Sequence, residues 1–183
     1  LRIGTQHNMF IDYGQLTFDS ISASITRGES QATSAGPKLI GALKSIGFQE
    51  LILLNRETKK EFIQRKAGGL QRYQYEEEAP QLEWELLQGD CTIAGYQCQK
   101  AKTRLFGRDY IAWYAPDVEL PYGPYKFYGL PGLIFKVQDT QNNFIFTLTG
   151  LQKVKSYTPI YMYDKSAVTK STRKTVRQMY KNY

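Results

Sequence analysis

Apolar residues recur at two different spacings along this chain. Up to about Gly47 they fall at helical intervals. "FDSISASITRG" predicts one helix, with Asp19 as its N-cap and Gly28 as its stop. "SAGPKLIGALKSIG" predicts a second, with Leu39, Ile40, Leu43 and Ile46 on one face. Pro37 suits its first turn and Gly47 its end. From Glu50 onward the period drops to two. "ELILLN", "KKEFIQRK" and "LQRYQYEE" read as strands, broken near Asn55–Glu57 and at Ala67-Gly68-Gly69. "QLEWELLQGD" follows, with Leu82, Trp84 and Leu86 on one face. Further strands are predicted in "AKTRLFGRDYIAWYA", with a turn at Gly107-Arg108, and in "LIFKVQD" and "NFIFTLTGL", joined across Asp139–Asn143. The connections are too short for crossover helices, so the sheet is expected to be largely antiparallel. "STRKTVRQMYKNY" predicts a short basic terminal helix.

This pattern predicts one α+β domain over residues 1–183, with a helical part at about 1–48, a sheet at about 50–155 and a basic tail or helix at about 164–183. The length of 183 residues is enough for a real core, and 42% of the residues are hydrophobic. Fourteen tyrosines suit half-buried sheet faces, with the ring inside and the hydroxyl at water. The net charge of +7 changes the picture at one end. Six basic residues lie between Lys165 and Lys181, with one acid, Asp164, just before them. A solvated helix face explains them, and contact with an anionic surface is the sharper reading. No phosphate-binding loop, zinc finger or RNA-binding motif appears, so no specific nucleic-acid role is expected. No apolar run reaches the length of a membrane span. The chain begins at Leu1, so a removed export signal is an expectation.

"CTIAGYQC" holds both cysteines. A turn at Ala94-Gly95 puts Cys91 opposite Cys98, where a disulfide is predicted if the compartment is oxidising. With a tight two-residue turn the pair is hydrogen-bonded and its strands lie further apart. A four-residue loop brings the thiols closer. The bland alternative is two buried free thiols. Two cysteines and one distant histidine, His7, do not complete a tetrahedral metal set, so no metal and no cofactor are expected.

Catalytic groups are sparse. A cysteine nucleophile needs His7 brought to it, and no Gly-x-Ser-x-Gly elbow exists. Asp117 and Glu119 share a face if their segment is extended, which makes them the carboxylates of a hydrolase-like alternative. Such pairs are more often solvated loop charges. Asp139, Asn142 and Asn143 have calcium-ligand chemistry, but a hairpin turn accounts for them.

The stretch "YGPYKFYGLPGLIFKVQD", residues 122–139, places five Gly or Pro residues inside the most apolar part of the chain. Pro124 pushes Gly123 toward extended geometry. Leu130-Pro131-Gly132-Leu133 fits a type II turn with positive φ at Gly132. Gly129 allows a close approach of backbone or ring. A buried strand then starts at Leu133-Ile134. The stretch reads mainly as a fold corner. Its rival reading is a binding edge, in which Tyr122, Tyr125, Phe127, Tyr128 and Leu130 line a groove for a lipid, a peptide or a partner protein.

Gly129-Leu130-Pro131-Gly132-Leu133-Ile134 also resembles the motif that names the GLPGLI family, found mainly in Bacteroidetes. The resemblance extends over "YEEEAPQLEWELL" and "TIAGYQCQKAKTRLFGRDYIAWYAPDVELPYGPYKFYGLPGLIFKVQD", roughly Tyr75 to Leu151. Lys100-Ala101, Gly107-Arg108, Ala112-Trp113 and Gly123-Pro124 are part of it. It implies an exported protein of the periplasm or outer-membrane surface, and it supplies no catalytic residues. The order of elements is similar to that of envelope proteins of the lipoprotein-carrier type. That likeness implies a curved antiparallel sheet, an unclosed barrel, with helices against its concave side.

Overall fold

The computed structural model describes residues 1–67, 71–154, 160, 162–163 and 168–181. The predicted turn at Gly68-Gly69 and the start of the basic tail lie outside them. The chain is an α+β protein with two largely antiparallel, unclosed sheets. It forms two compact units: Ala79–Pro159 with Leu1, and Arg2–Glu78 with Ile160–Tyr183. The single sheet expected from the sequence is therefore two. The N-terminal helices share a unit with the first three predicted strands.

In the unit built on Arg2–Glu78, a six-stranded sheet has the order β1 (Arg2–Ile3), β2 (His7–Phe10), β3 (Glu50–Asn55), β4 (Lys60–Lys66), β5 (Arg72–Glu78) and β11 (Val168–Lys170). Only β11 joins in parallel. The sequence reading missed β1 and β2, which are too short to show a period. Met9, Ile11, Leu51 and Leu53 form a core on one face, against Leu16, Phe62, Ile160, Met162 and Tyr163.

Helix α1 (Tyr13–Thr26) starts earlier than predicted. Its N-cap is Asp12, whose Oδ1 accepts from the backbone N–H groups of Gly14 at 2.7 Å and Gln15 at 3.3 Å. The expected cap, Asp19, lies within the helix and accepts from Gln15 Nε2 at 2.7 Å. The other oxygen of Asp12 accepts from Gly47 and Phe48 N–H at 3.1 and 3.0 Å. One carboxylate thus starts α1 and anchors the chain leaving α2 (Ala32–Lys44). Pro37 sits inside α2 rather than in its first turn. The buried residues of α2 are Ala35 and Ala42, whereas Ile40 and Leu43 are exposed. Small residues are favoured because the two helices touch closely: a Cβ on Gly14 would meet Ser45 Oγ and lie 3.0 Å from the Ala42 carbonyl oxygen.

In the unit built on Ala79–Pro159, a five-stranded antiparallel sheet has the order β10 (Ile145–Thr147), β9 (Leu133–Asp139), β8 (Arg108–Ala115), β7 (Tyr96–Leu105) and β6 (Glu85–Ile93). One face carries the core of Ala101, Leu105, Tyr110, Ala112, Tyr114, Ile134 and Val137. Phe127 and Leu130 join it from the preceding segment, with Leu82, Trp84, Tyr125 and Phe146 packed around them. β6 is bulged between Leu87 and Asp90, and β9 where it leaves Trp113 for Tyr114. The basic terminal helix is α3 (Arg173–Lys181), in the other unit. No helix among the described residues is long and apolar enough to cross a membrane, which says nothing of spanning by strands.

Candidate functional site

The hairpin of "CTIAGYQC" turns on two residues with positive φ, Ala94 at 49° and Gly95 at 83°. Ile93 opposes Tyr96, and Cys91 opposes Cys98, as the spacing predicted. The disulfide predicted from the spacing is absent, because both cysteines are free. The turn is the tight two-residue form. It makes the cysteine pair a hydrogen-bonded one, held near the wider of the two cross-strand separations. Cys98 is buried. That burial pushes its thiol up, with the Cys91 side chain adding and a hydrogen bond from the Ile93 backbone opposing.

The corner at residues 122–134 departs from its predicted turn. The positive φ belongs to Gly129, at 96°, and to Tyr125, at 55°, not to Gly132. Instead of a type II turn, the Gly132 N–H donates to the Leu130 carbonyl at 2.8 Å. Gly132 is required by space. A Cβ there would strike the Ala115 carbonyl oxygen and stand 2.9 Å from Pro116 Cα. Gly123 is required in the same way, because a Cβ would lie 2.8 Å from Ile134 Cβ and 2.9 Å from the Phe127 carbonyl oxygen. The backbone is tied down within the unit: Gly129 N–H to Pro121 O at 2.9 Å, Leu133 N–H to Val118 O at 2.9 Å and Ile134 N–H to Tyr122 O at 2.9 Å. Trp84 Nε1 donates to the Tyr128 carbonyl at 2.9 Å, and the Tyr128 hydroxyl donates to the Pro80 carbonyl at 2.7 Å.

The structure divides the predicted binding residues. Tyr122, Phe127 and Leu130 are buried, with Phe127 and Leu130 at 1% exposure. The Tyr110 and Phe127 rings meet edge to face at 4.8 Å. Tyr125 and Tyr128 are half-buried, and the Tyr125 ring stacks on Phe146. Pro131 is exposed, while Leu133 and Ile134 begin the buried strand β9. At the β6 edge the core face opens: Leu86 stands opposite buried Ala101 yet is 63% exposed, beside half-buried Trp84. Sequence reasoning placed Leu86 on this face, but its exposure depends on what covers the sheet edge.

The candidate chemistry is dispersed. Asp117 and Glu119 are exposed on the segment between β8 and β9 and make no hydrogen bond or ion pair with the described residues. His7 lies on β2, its Nε2 3.4 Å from Asn55 Nδ2. Among the described residues no group of three His, Cys, Asp or Glu side chains is placed to hold a metal ion. Asp139 is a turn residue. Its carboxylate accepts from the Phe144 N–H at 2.8 Å, from Asn143 Nδ2 at 3.3 Å and from Arg108 at 3.3 Å. Burial pushes its carboxyl up, and those hydrogen bonds with the Arg108 charge outweigh it, leaving the group below the ordinary carboxylate range. On α3, Arg173, Lys174, Arg177 and Gln178 line a shallow basic pocket, with Arg173 also 3.4 Å from Glu77.

No model of a known protein family matches the chain, and no curated protein does. The fold is similar to that of PNGF-II, solved in space groups P21 and C2. The TM-scores are 0.56 and 0.55, with 19% identity over 75% of this chain and 26% of that one. At that identity the likeness concerns the fold alone. The chain matches about a quarter of the length of PNGF-II.

Proposed function

We propose that the chain is a non-catalytic binding protein, with the cell-envelope location that the GLPGLI resemblance implies. It engages a lipid, a peptide or a partner protein where the core face of the five-stranded sheet opens. The observation that supports this reading is the exposed Leu86 on a core-facing position, beside Trp84 and near the half-buried Tyr128. β6 is also an edge strand among the described residues, the kind of strand to which an extended peptide pairs. The basic face of α3 adds a salt-sensitive contact with an anionic surface. Native mass spectrometry of the protein purified from its host envelope tests the reading. A bound lipid, peptide or protein that is lost on Leu86→Glu supports it, and a bare monomer in the envelope fraction overturns it.

The likeness to PNGF-II favours a second reading, a hydrolase-like enzyme using Asp117 and Glu119. It requires that the shared quarter of PNGF-II carry chemistry and not only fold. Hydrolysis of a panel of chromogenic esters and glycosides, abolished in Asp117→Asn and in Glu119→Gln, establishes it. Equal turnover by the wild type and both variants excludes these carboxylates.

A further inference from the structure

The face of the five-stranded sheet opposite its core carries a different kind of surface. Trp113, on β8, points there. Its cross-strand neighbours on either side are Lys100, on β7, and Lys136, on β9. Both ammonium groups lie over the indole, Lys136 Nζ at 4.8 Å and Lys100 Nζ at 5.9 Å from the ring centroid. Lys102 and Arg104 follow Lys100 on the same face at the two-residue spacing of the strand. The acids on this face are Glu85, opposite Lys102, and Asp109, opposite Arg104. None of the four cations forms an ion pair with a described residue. Four cations, unpaired among the described residues, against two carboxylates on the face that carries one half-buried indole leave a local positive potential that suits an outside anion.

We infer that this face is a docking platform for an anionic polysaccharide. Sulfate or carboxylate groups along the polymer meet Lys100 and Lys136, whose ammonium groups the Trp113 indole holds side by side. The arrangement fits this occupant better than its rivals. A single-stranded nucleic acid stacks successive bases on successive rings, and the row across this face is Leu87, Lys100, Trp113, Lys136 and Thr147, with one aromatic. A bilayer surface selects apolar tips that stand above the charges, whereas Trp113 and Ile111 lie half-buried between longer side chains. The platform is independent of the binding reading above, since Leu86 stands opposite Ala101, a residue of the core on the other face.

The test uses fluorescein-labelled dextran sulfate, read by anisotropy. Every protein carries Arg173→Gln, Lys174→Gln, Arg177→Gln and Lys181→Gln, so that the charge of α3 is set aside. Dextran sulfate is expected to bind, neutral dextran not to bind, and affinity to fall between about 50 and about 200 mM salt. Trp113→Ala, or Lys100→Gln with Lys136→Gln, should weaken binding about tenfold or more. Trp113→Phe keeps a ring and should fall between. The lysine pair is on the surface, so its variant tests the site even if loss of the indole unfolds the sheet. Equal affinity in the wild-type face and the lysine variant overturns the proposal. So does tighter binding to oligo(dT) or to phosphatidylglycerol vesicles than to dextran sulfate.

Discussion

Two regions of the five-stranded unit use glycine for opposite reasons. At the hairpin tips the backbone demands it. Ala94-Gly95 and Phe106-Gly107 turn through positive φ at both positions, and a Cβ on Gly95 or Gly107 would meet nothing within 4 Å. At the corner before β9 the neighbours demand it. Gly123 and Gly132 have ordinary φ, and a Cβ on either would strike packed backbone. A hairpin tip is a local choice of conformation open to solvent. The corner is a tertiary contact that joins β8 to β9 through Ala115, Pro116 and Ile134. The same residue type therefore marks replaceable turns and irreplaceable packing.

This contrast is most sharply broken at Gly132. Gly132→Ala should destabilise the unit by about 3 kcal/mol or more, because the new methyl would overlap the Ala115–Pro116 peptide backbone. Both tryptophans, Trp84 and Trp113, lie in this unit, so urea unfolding followed by their fluorescence reads the effect. Gly123→Ala should cost about 2 kcal/mol, less because its nearest contacts, 2.8 Å to Ile134 Cβ and 2.9 Å to the Phe127 carbonyl oxygen, overlap less than those at Gly132. At the hairpin tip, Gly95→Ala should cost about 1 kcal/mol, the strain of a left-handed residue alone. Gly95→Asn should recover most of it, since asparagine tolerates that conformation. Recovery by asparagine at Gly132 would collapse the distinction.

A third device, a turn held by a side chain, gives the smallest effect and the clearest pH signature. The folded-state carboxyl of Asp139 is held below its ordinary value, so its contribution is full above the unfolded value of about 3.9. It is lost as pH falls through the lower folded value. Urea midpoints of wild type and Asp139→Asn should therefore differ at neutral pH and converge in acid. A difference that persists unchanged to low pH would show that the carboxylate charge does not hold this turn.

The β6–β7 register was legible because alternation and the Ala94-Gly95 turn both specify it, down to Cys91 opposite Cys98. The state of those thiols was not, because pair type depends on the turn's exact length and on how far the strands stand apart. Asp19 looked like a cap because it precedes an apolar run, yet Asp12 holds the position through contacts reaching 35 and 36 residues along the chain. The apolar stripe of α2 misled for a similar reason: Ile40 and Leu43 face outward, while Ala35 and Ala42 permit close packing against α1. Of the predicted binding aromatics, the sequence located the corner but not which rings it swallows.

By itself the sequence determined the α+β class, the antiparallel pairing, the hairpin centred on Ala94-Gly95 and a corner at Gly129–Ile134. These follow from periodicity and from residues whose backbone preferences act within a few positions. Tertiary structure alone decided that the strands split into two sheets and that Gly132 serves space rather than φ. It also placed Lys100 and Lys136 over Trp113. Those outcomes depend on which distant segments arrive as neighbours, and a neighbour's Cβ or charge leaves no trace in local spacing.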